Sequence, residues 1–101
     1  MIAVLAAAAA TLVCSSQLPD GSRSDYRLSI QPKTVVMTMR DGAVHRLPRM
    51  PSVERAGIKA VGGARLDENM TLSVMVDDQN RVQQTFMSSR WGVEFVYGRC
   101  R

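Results

Sequence analysis

Aromatic side chains are scarce in this 101-residue chain: one tryptophan, two tyrosines and two phenylalanines. Proteins that read single-stranded nucleic acid stack bases on such rings, and no recognised motif is present, so a nucleic-acid partner is not expected. Histidine occurs once, at His45, and cysteine twice, at Cys14 and Cys100. These ligands are too few and too scattered to close a zinc site. No cofactor is expected either, because Gly62-Gly63 lacks the rest of any phosphate-cradling motif. Catalysis has little to work with. A hydrolase would need His45 gathered with Asp77 or Asp78, and that acidic pair reads as a solvated turn. The chain is therefore expected not to be an enzyme. No apolar run reaches the roughly 20 residues that span a bilayer.

What is present begins with Met1 to Ala10, apolar and almost all small. The stretch resembles the end of a secretory h-region running into a small-residue cleavage site at Ala8-Ala9-Ala10, although the basic n-region is missing. The alternative is an apolar first strand or helix. Residues 1–10 are thus read as an export signal and 11–101 as a single domain, periplasmic or secreted. A mature chain of about 90 residues has a small core and would profit from a covalent staple. Cys14 and Cys100 supply one in an oxidising compartment. Closing so long a loop is worth about 4 to 5 kcal/mol in the chain-entropy model. Lipidation of Cys14 competes with this reading, but Val13 stands where such sites want a small residue. Reduced thiols in a cytosolic protein are the third reading. The net charge is +4 at pH 7, and arginines carry most of the positive side. A basic surface is compatible with an anionic membrane or an acidic protein cleft.

The stretch Thr34 to Gly57 organises the rest. Thr34-Val35-Val36-Met37-Thr38-Met39 and Ala43-Val44-His45-Arg46-Leu47 flank Arg40-Asp41-Gly42, and Asp-Gly between two apolar runs predicts a type I′ hairpin. Pro48 and Pro51 stop the second strand and start an exposed segment. Strands are also predicted at Thr11–Ser15, around Tyr26, Leu28 and Ile30, at Thr71–Val76 and at Arg81–Met87. In the last strand Trp91, Val93, Phe95 and Tyr97 alternate, and they are expected to face the core. Turn signals recur at roughly ten-residue intervals, the spacing of an antiparallel sandwich or small barrel. Ser52 to Val61 is either one or two helical turns, capped by Ser52 and ended by Gly62-Gly63, or an extended loop.

Cys14, the Asp41-Gly42 hairpin, Leu47-Pro48-Arg49-Met50-Pro51-Ser52, Ala56-Gly57-Ile58-Lys59-Ala60 and Cys100 together resemble the bacterial periplasmic and membrane-bound inhibitors of c-type lysozyme. Ala56 and Ala60 stand where that family carries serine and tyrosine, and Val76-Asp77 where it carries Thr-Lys. The resemblance implies an all-β fold, a small antiparallel β-barrel of about eight short strands, with room for one helical turn after Pro51. It implies c-type lysozyme as partner, its active-site cleft blocked by a projecting loop. The cleft holds two carboxylates, so loop donors or a cation would bind there. The loop residues are Arg49, Ser52, Gly57 and Lys59, with Arg49 or Lys59 as the inserted cation. The alternative function is a cell-envelope binding or structural protein whose basic surface meets an anionic partner.

Overall fold

A computed structural model describes residues 10–101. The segment expected to be an export signal therefore lies outside the described residues, apart from Ala10, which opens the first strand. The chain forms eight antiparallel strands: β1 (Ala10–Gln17), β2 (Arg23–Ile30), β3 (Thr34–Met39), β4 (Val44–Pro48), β5 (Ile58–Arg65), β6 (Met70–Asp77), β7 (Arg81–Ser88) and β8 (Gly92–Cys100). Their order in the sheet is β4-β3-β2-β1-β8-β7-β6-β5. Two four-strand meanders thus lie side by side. They join through a β1–β8 ladder at one seam and through the single bridge Arg49–Gly62 at the other. The result is a nearly closed barrel, the all-β architecture the sequence predicts.

Period-2 alternation builds the core. Leu12 and Cys14 of β1, Tyr26 and Leu28 of β2, Val35 and Met37 of β3, Leu47 of β4, Leu72, Val74 and Val76 of β6, and Val82 of β7 are all buried in one cluster. A small polar group sits inside with them. Ser16 and Tyr26 share a hydroxyl–hydroxyl hydrogen bond, and the Gln84 amide donates to the Ser16 oxygen at 3.4 Å. No buried side-chain polar atom among the described residues lacks a partner. Burial pushes the Tyr26 phenol upward from its ordinary pKa.

The β3–β4 turn is not the expected type I′. The Gly42 N–H donates to the Met39 carbonyl at 2.9 Å and the Met39 N–H to the Ala43 carbonyl at 2.8 Å. Gly42 has a φ of +94°, whereas Asp41 keeps a negative φ and accepts the Ala43 N–H on its carboxylate at 2.9 Å. This is the alternative hairpin solution, a type I turn closed by one left-handed residue. The Asp41 side chain selects it by holding the turn from below.

One helical turn follows Pro51 as expected, of 3₁₀ type over Pro51–Val53, and the chain re-enters the sheet at Ile58. Two further expectations are corrected. First, Gly62 and Gly63 lie inside β5 and end no helix. Gly62 is there because β4 crosses it closely: a Cβ would stand 2.9 Å from the Leu47 carbonyl oxygen and 3.1 Å from the Val35 Cβ. Second, β8 is inverted. Trp91, Val93, Phe95 and Tyr97 are exposed, at 77%, 56%, 50% and 62%, while Val96 is buried. The β1–β8 register sets Cys14 opposite Cys100 and Ser16 opposite Gly98. Even-numbered residues of β8 thereby face inward with the buried cysteine. A methyl group at Gly98 would overlap the Ser15 carbonyl and the Ser16 hydroxyl, so crowding at this crossing needs the glycine on the inner face.

Candidate functional site

Three connections meet at one end of the barrel: Gln31–Lys33, Arg49–Gly57 and Asp78–Asn80. Their backbone bonds make a continuous rim. The Arg49 N–H donates to the Lys33 carbonyl at 2.9 Å, the Met50 N–H to Val61 at 2.8 Å, and the Asp78 N–H to Gly57 at 3.0 Å. The longest connection, between β4 and β5, projects from this rim. Pro48 and Pro51 force it out of the sheet, since neither can donate to a ladder. Gly57 returns it, with a φ of +89°.

A bidentate ion pair braces the projecting loop from behind. Arg49 donates to the Glu54 carboxylate from Nε at 3.0 Å and from Nη2 at 2.7 Å, and its Nη1 reaches the Gln31 carbonyl at 3.1 Å. Glu54 also accepts the Val61 N–H at 3.2 Å, tying the loop to β5. The planar guanidinium fork suits this fixed geometry better than an ammonium would. The hydrogen bond from Arg49 holds the Glu54 carboxyl below its ordinary value of 4.5, against the opposing effect of partial burial. Bracing fixes the φ/ψ of the loop before any partner arrives, which reduces the entropy lost on binding.

The four loop residues singled out from the sequence are not equivalent. Arg49 is committed to Glu54 and Gln31. Lys59 occupies the extra position of a bulge in β5, between the Ile58–Asp77 and Ala60–Val76 pairs, and donates to the Asn80 side chain. Ser52 is exposed on the 3₁₀ turn, and Gly57 is exposed at the return. Arg49 and Ser52 thus share the outer loop, whereas Gly57 and Lys59 stand at its base beside the β6–β7 turn. The outermost part of the loop presents Met50, Pro51, Ser52, Val53, Arg55 and Ala56 to solvent. Arg55 makes no salt bridge among the described residues. Sequence reading passed over both Glu54 and Arg55. The five-residue spacing from Arg49 to Glu54 across a proline-bounded loop was the available signal for the brace.

Asp77 is spoken for as well. It accepts the Arg81 N–H at 2.8 Å, the Arg81 Nε at 2.7 Å and the Gln79 N–H at 2.9 Å. The backbone bond from Arg81 is the leading reason its carboxyl lies below the usual 3.8. His45 is half-buried on β4, opposite Met37, and shares no hydrogen bond with either aspartate among the described residues. Among the described residues no group of three or more His, Cys, Asp and Glu side chains could hold a metal ion.

Cys14 and Cys100 form a disulfide that spans 86 residues of sequence and links β1 to β8. Such a bond fits an extracellular or periplasmic location. No family model, no curated protein and no solved structure matches this chain.

Proposed function

We propose that this is an exported binding protein of the lysozyme-inhibitor type, which blocks a carboxylate-lined cleft with the β4–β5 loop. The observation that carries the reading is a solvent-facing cation on a pre-braced projection: Arg55 is exposed and makes no salt bridge among the described residues, on a loop that Arg49 and Glu54 fasten. Arg55 replaces Arg49 and Lys59 as the inserted group, because both of those already have partners within the chain. A guanidinium entering a cleft with two carboxylates would form charge-assisted bonds and prevent the acid from protonating its substrate. The exposed Val53 beside it adds apolar contact area. The test is turnover of cell-wall substrate by a purified c-type lysozyme in the presence of micromolar protein. Inhibition that Arg55→Glu abolishes supports the reading, and no inhibition by the unaltered protein removes it.

A second reading rests on the outer face of β2 to β4 and the adjoining β3–β4 turn. Arg23, Arg27 and Arg46 on the face and Arg40 in the turn are exposed, with Asp25 the carboxylate that offsets two of them, at 3.4 Å from Arg23 and 3.9 Å from Arg40. This face would meet an anionic envelope component. Its binding would weaken steeply with added salt, because exposed charges are screened within about 8 Å at physiological ionic strength.

A further inference from the structure

Beside the basic face, where Arg23 and Tyr97 line one surface pocket, the sheet has an open edge. In an antiparallel ladder the N–H and C=O of one residue point to the same side, and successive residues alternate. Val13 and Arg101 exchange both of their backbone hydrogen bonds, at 2.8 Å each, while the Cys100 N–H turns the other way, to the Asn80 carbonyl. Odd-numbered residues of β8 therefore direct their backbone groups toward β1. That ladder ends at Gln17 opposite Tyr97. Beyond it the chain leaves in the Leu18–Ser22 turn, where the Leu18 N–H donates to Ser22 and the Gly21 N–H to Leu18. Val93 and Phe95 thus present two N–H and two C=O groups with no partner among the described residues. β8 runs on past its neighbour with one side bare.

The side chains around this edge have a definite character. Val93, Phe95 and Tyr97 point outward, Met87 lies opposite Val93 on β7, and Trp91 packs under the Arg90 guanidinium, whose Cζ is 5.2 Å from the ring centroid. Aromatic residues present about 150–250 Å² each, so this half-exposed set forms an apolar patch on the order of 500 Å², at the upper end for a monomer. Between Val93 and Phe95, on the inner side, stands Glu94, which is exposed and makes no salt bridge among the described residues. It lines a cavity of about 410 Å³ together with Leu18, Met70, Phe86 and Val96.

We propose that the Val93–Phe95 edge binds an extended segment of a partner protein in which a lysine or arginine lies between two β-branched or aromatic residues. The incoming strand pairs its two apolar residues with Val93 and Phe95 through the free backbone groups, extending the sheet. Their side chains then lie on the outer face with the aromatic patch. The intervening cation falls on the inner face beside Glu94, in the non-hydrogen-bonded pairing where cross-strand side chains approach most closely. Charge disfavours a second copy in the register that pairs Val93 and Phe95 with each other. A two-fold pairing of Val93 with Phe95 of the other copy sets Glu94 against Glu94, and like charges directly opposite are destabilising.

Trp91 is the one tryptophan in the chain and adjoins the edge, so its fluorescence reads occupancy directly. The probe is an acetylated, amidated pentapeptide, Thr-Val-Lys-Val-Thr. A saturable shift in Trp91 emission is expected. N-methylation of both peptide valines should abolish it, since that removes the donors facing β8. Replacing the peptide lysine with glutamate should abolish it too, and Glu94→Gln should weaken binding about fivefold. Absence of a shift at millimolar peptide, or equal binding by the N-methylated peptide, overturns the proposal. A dimer in sedimentation at assay concentration that Val93→Lys dissociates also overturns it, by assigning the edge to a second copy. None of these readouts involves lysozyme, so this edge and the β4–β5 loop stand or fall separately.

Discussion

The barrel is closed at two seams, and they are closed differently. At β1–β8 four residue pairs, the extra Val13–Arg101 pair and a disulfide join the strands. At β4–β5 one bridge and the Met50–Val61 bond suffice, with Gly62 admitting the close approach and Arg49–Glu54 fastening the outside. The reason lies in the chain between the strands. β4 and β5 are consecutive, so residues 49–57 already tether them, a loop far smaller than the 86-residue separation of the cysteines. β1 and β8 are the two ends of the described chain, and bringing them together carries the largest loop-closure entropy in the molecule. A ladder and a covalent bond answer that cost. The weakly paired seam is the one that carries the projecting loop.

The comparison is broken most severely at the covalent seam. Reduction, or Cys100→Ser, should lower stability by about 4 to 5 kcal/mol. Urea unfolding with and without reductant measures it; a loss below about 1 kcal/mol would mean that the ladder alone closes the barrel. Next comes Gly62→Val, which drives a branched side chain into Leu47 and should cost about 1 to 3 kcal/mol. Hydrogen exchange should localise the damage to β4 and β5 and leave β1 and β8 protected, since local opening follows cooperative units.

The external brace is a smaller matter. Glu54→Ala removes an ion pair that is partly exposed and therefore screened, and should cost about 1 kcal/mol. It should also blunt the acid sensitivity. Glu54 and Asp77 both have folded pKa values below their ordinary 4.5 and 3.8. The unfolded chain then takes up protons first as pH falls. Their contribution is full above the ordinary values and is lost on acidification through the lowered ones. The urea midpoint of Glu54→Gln should consequently fall less than that of the unaltered protein between about pH 6 and pH 3. Smallest of all is Phe95→Thr, on the part of β8 that overhangs the first seam. It should change stability by no more than about 0.5 kcal/mol, because the ring is on the surface. A loss of several kcal/mol would place Phe95 in the core and contradict the β8 register.

Much of the fold was legible in the residues. Leu72, Val74 and Val76 of β6, or Tyr26 and Leu28 of β2, alternate with less buried neighbours, and one side of each strand is buried as that pattern requires. In β8 the alternation misleads. Its odd-numbered residues are the more apolar, yet they face solvent. Alternation identifies two faces but does not say which one meets the barrel, and a one-residue shift exchanges them. The clue was Cys100: once it pairs with the buried Cys14, Val96 and Gly98 must turn inward and Phe95 and Tyr97 outward. In the loop the sequence marked Arg49 and Lys59 as cations but held no measure of their partners, since Glu54 and Asn80 reach them only through folded geometry.

By itself, the sequence determined the all-β class, most of the strand and hairpin positions and the pair of cysteines, because these follow from local backbone preference and period-2 patterning. The tertiary structure decided which face of β8 is inside, why Gly62 and Gly98 are glycines, and which arginine of the loop pairs with Glu54. Those outcomes depend on how closely non-neighbouring strands approach and which charges they bring together, distances that exist only once the barrel has closed.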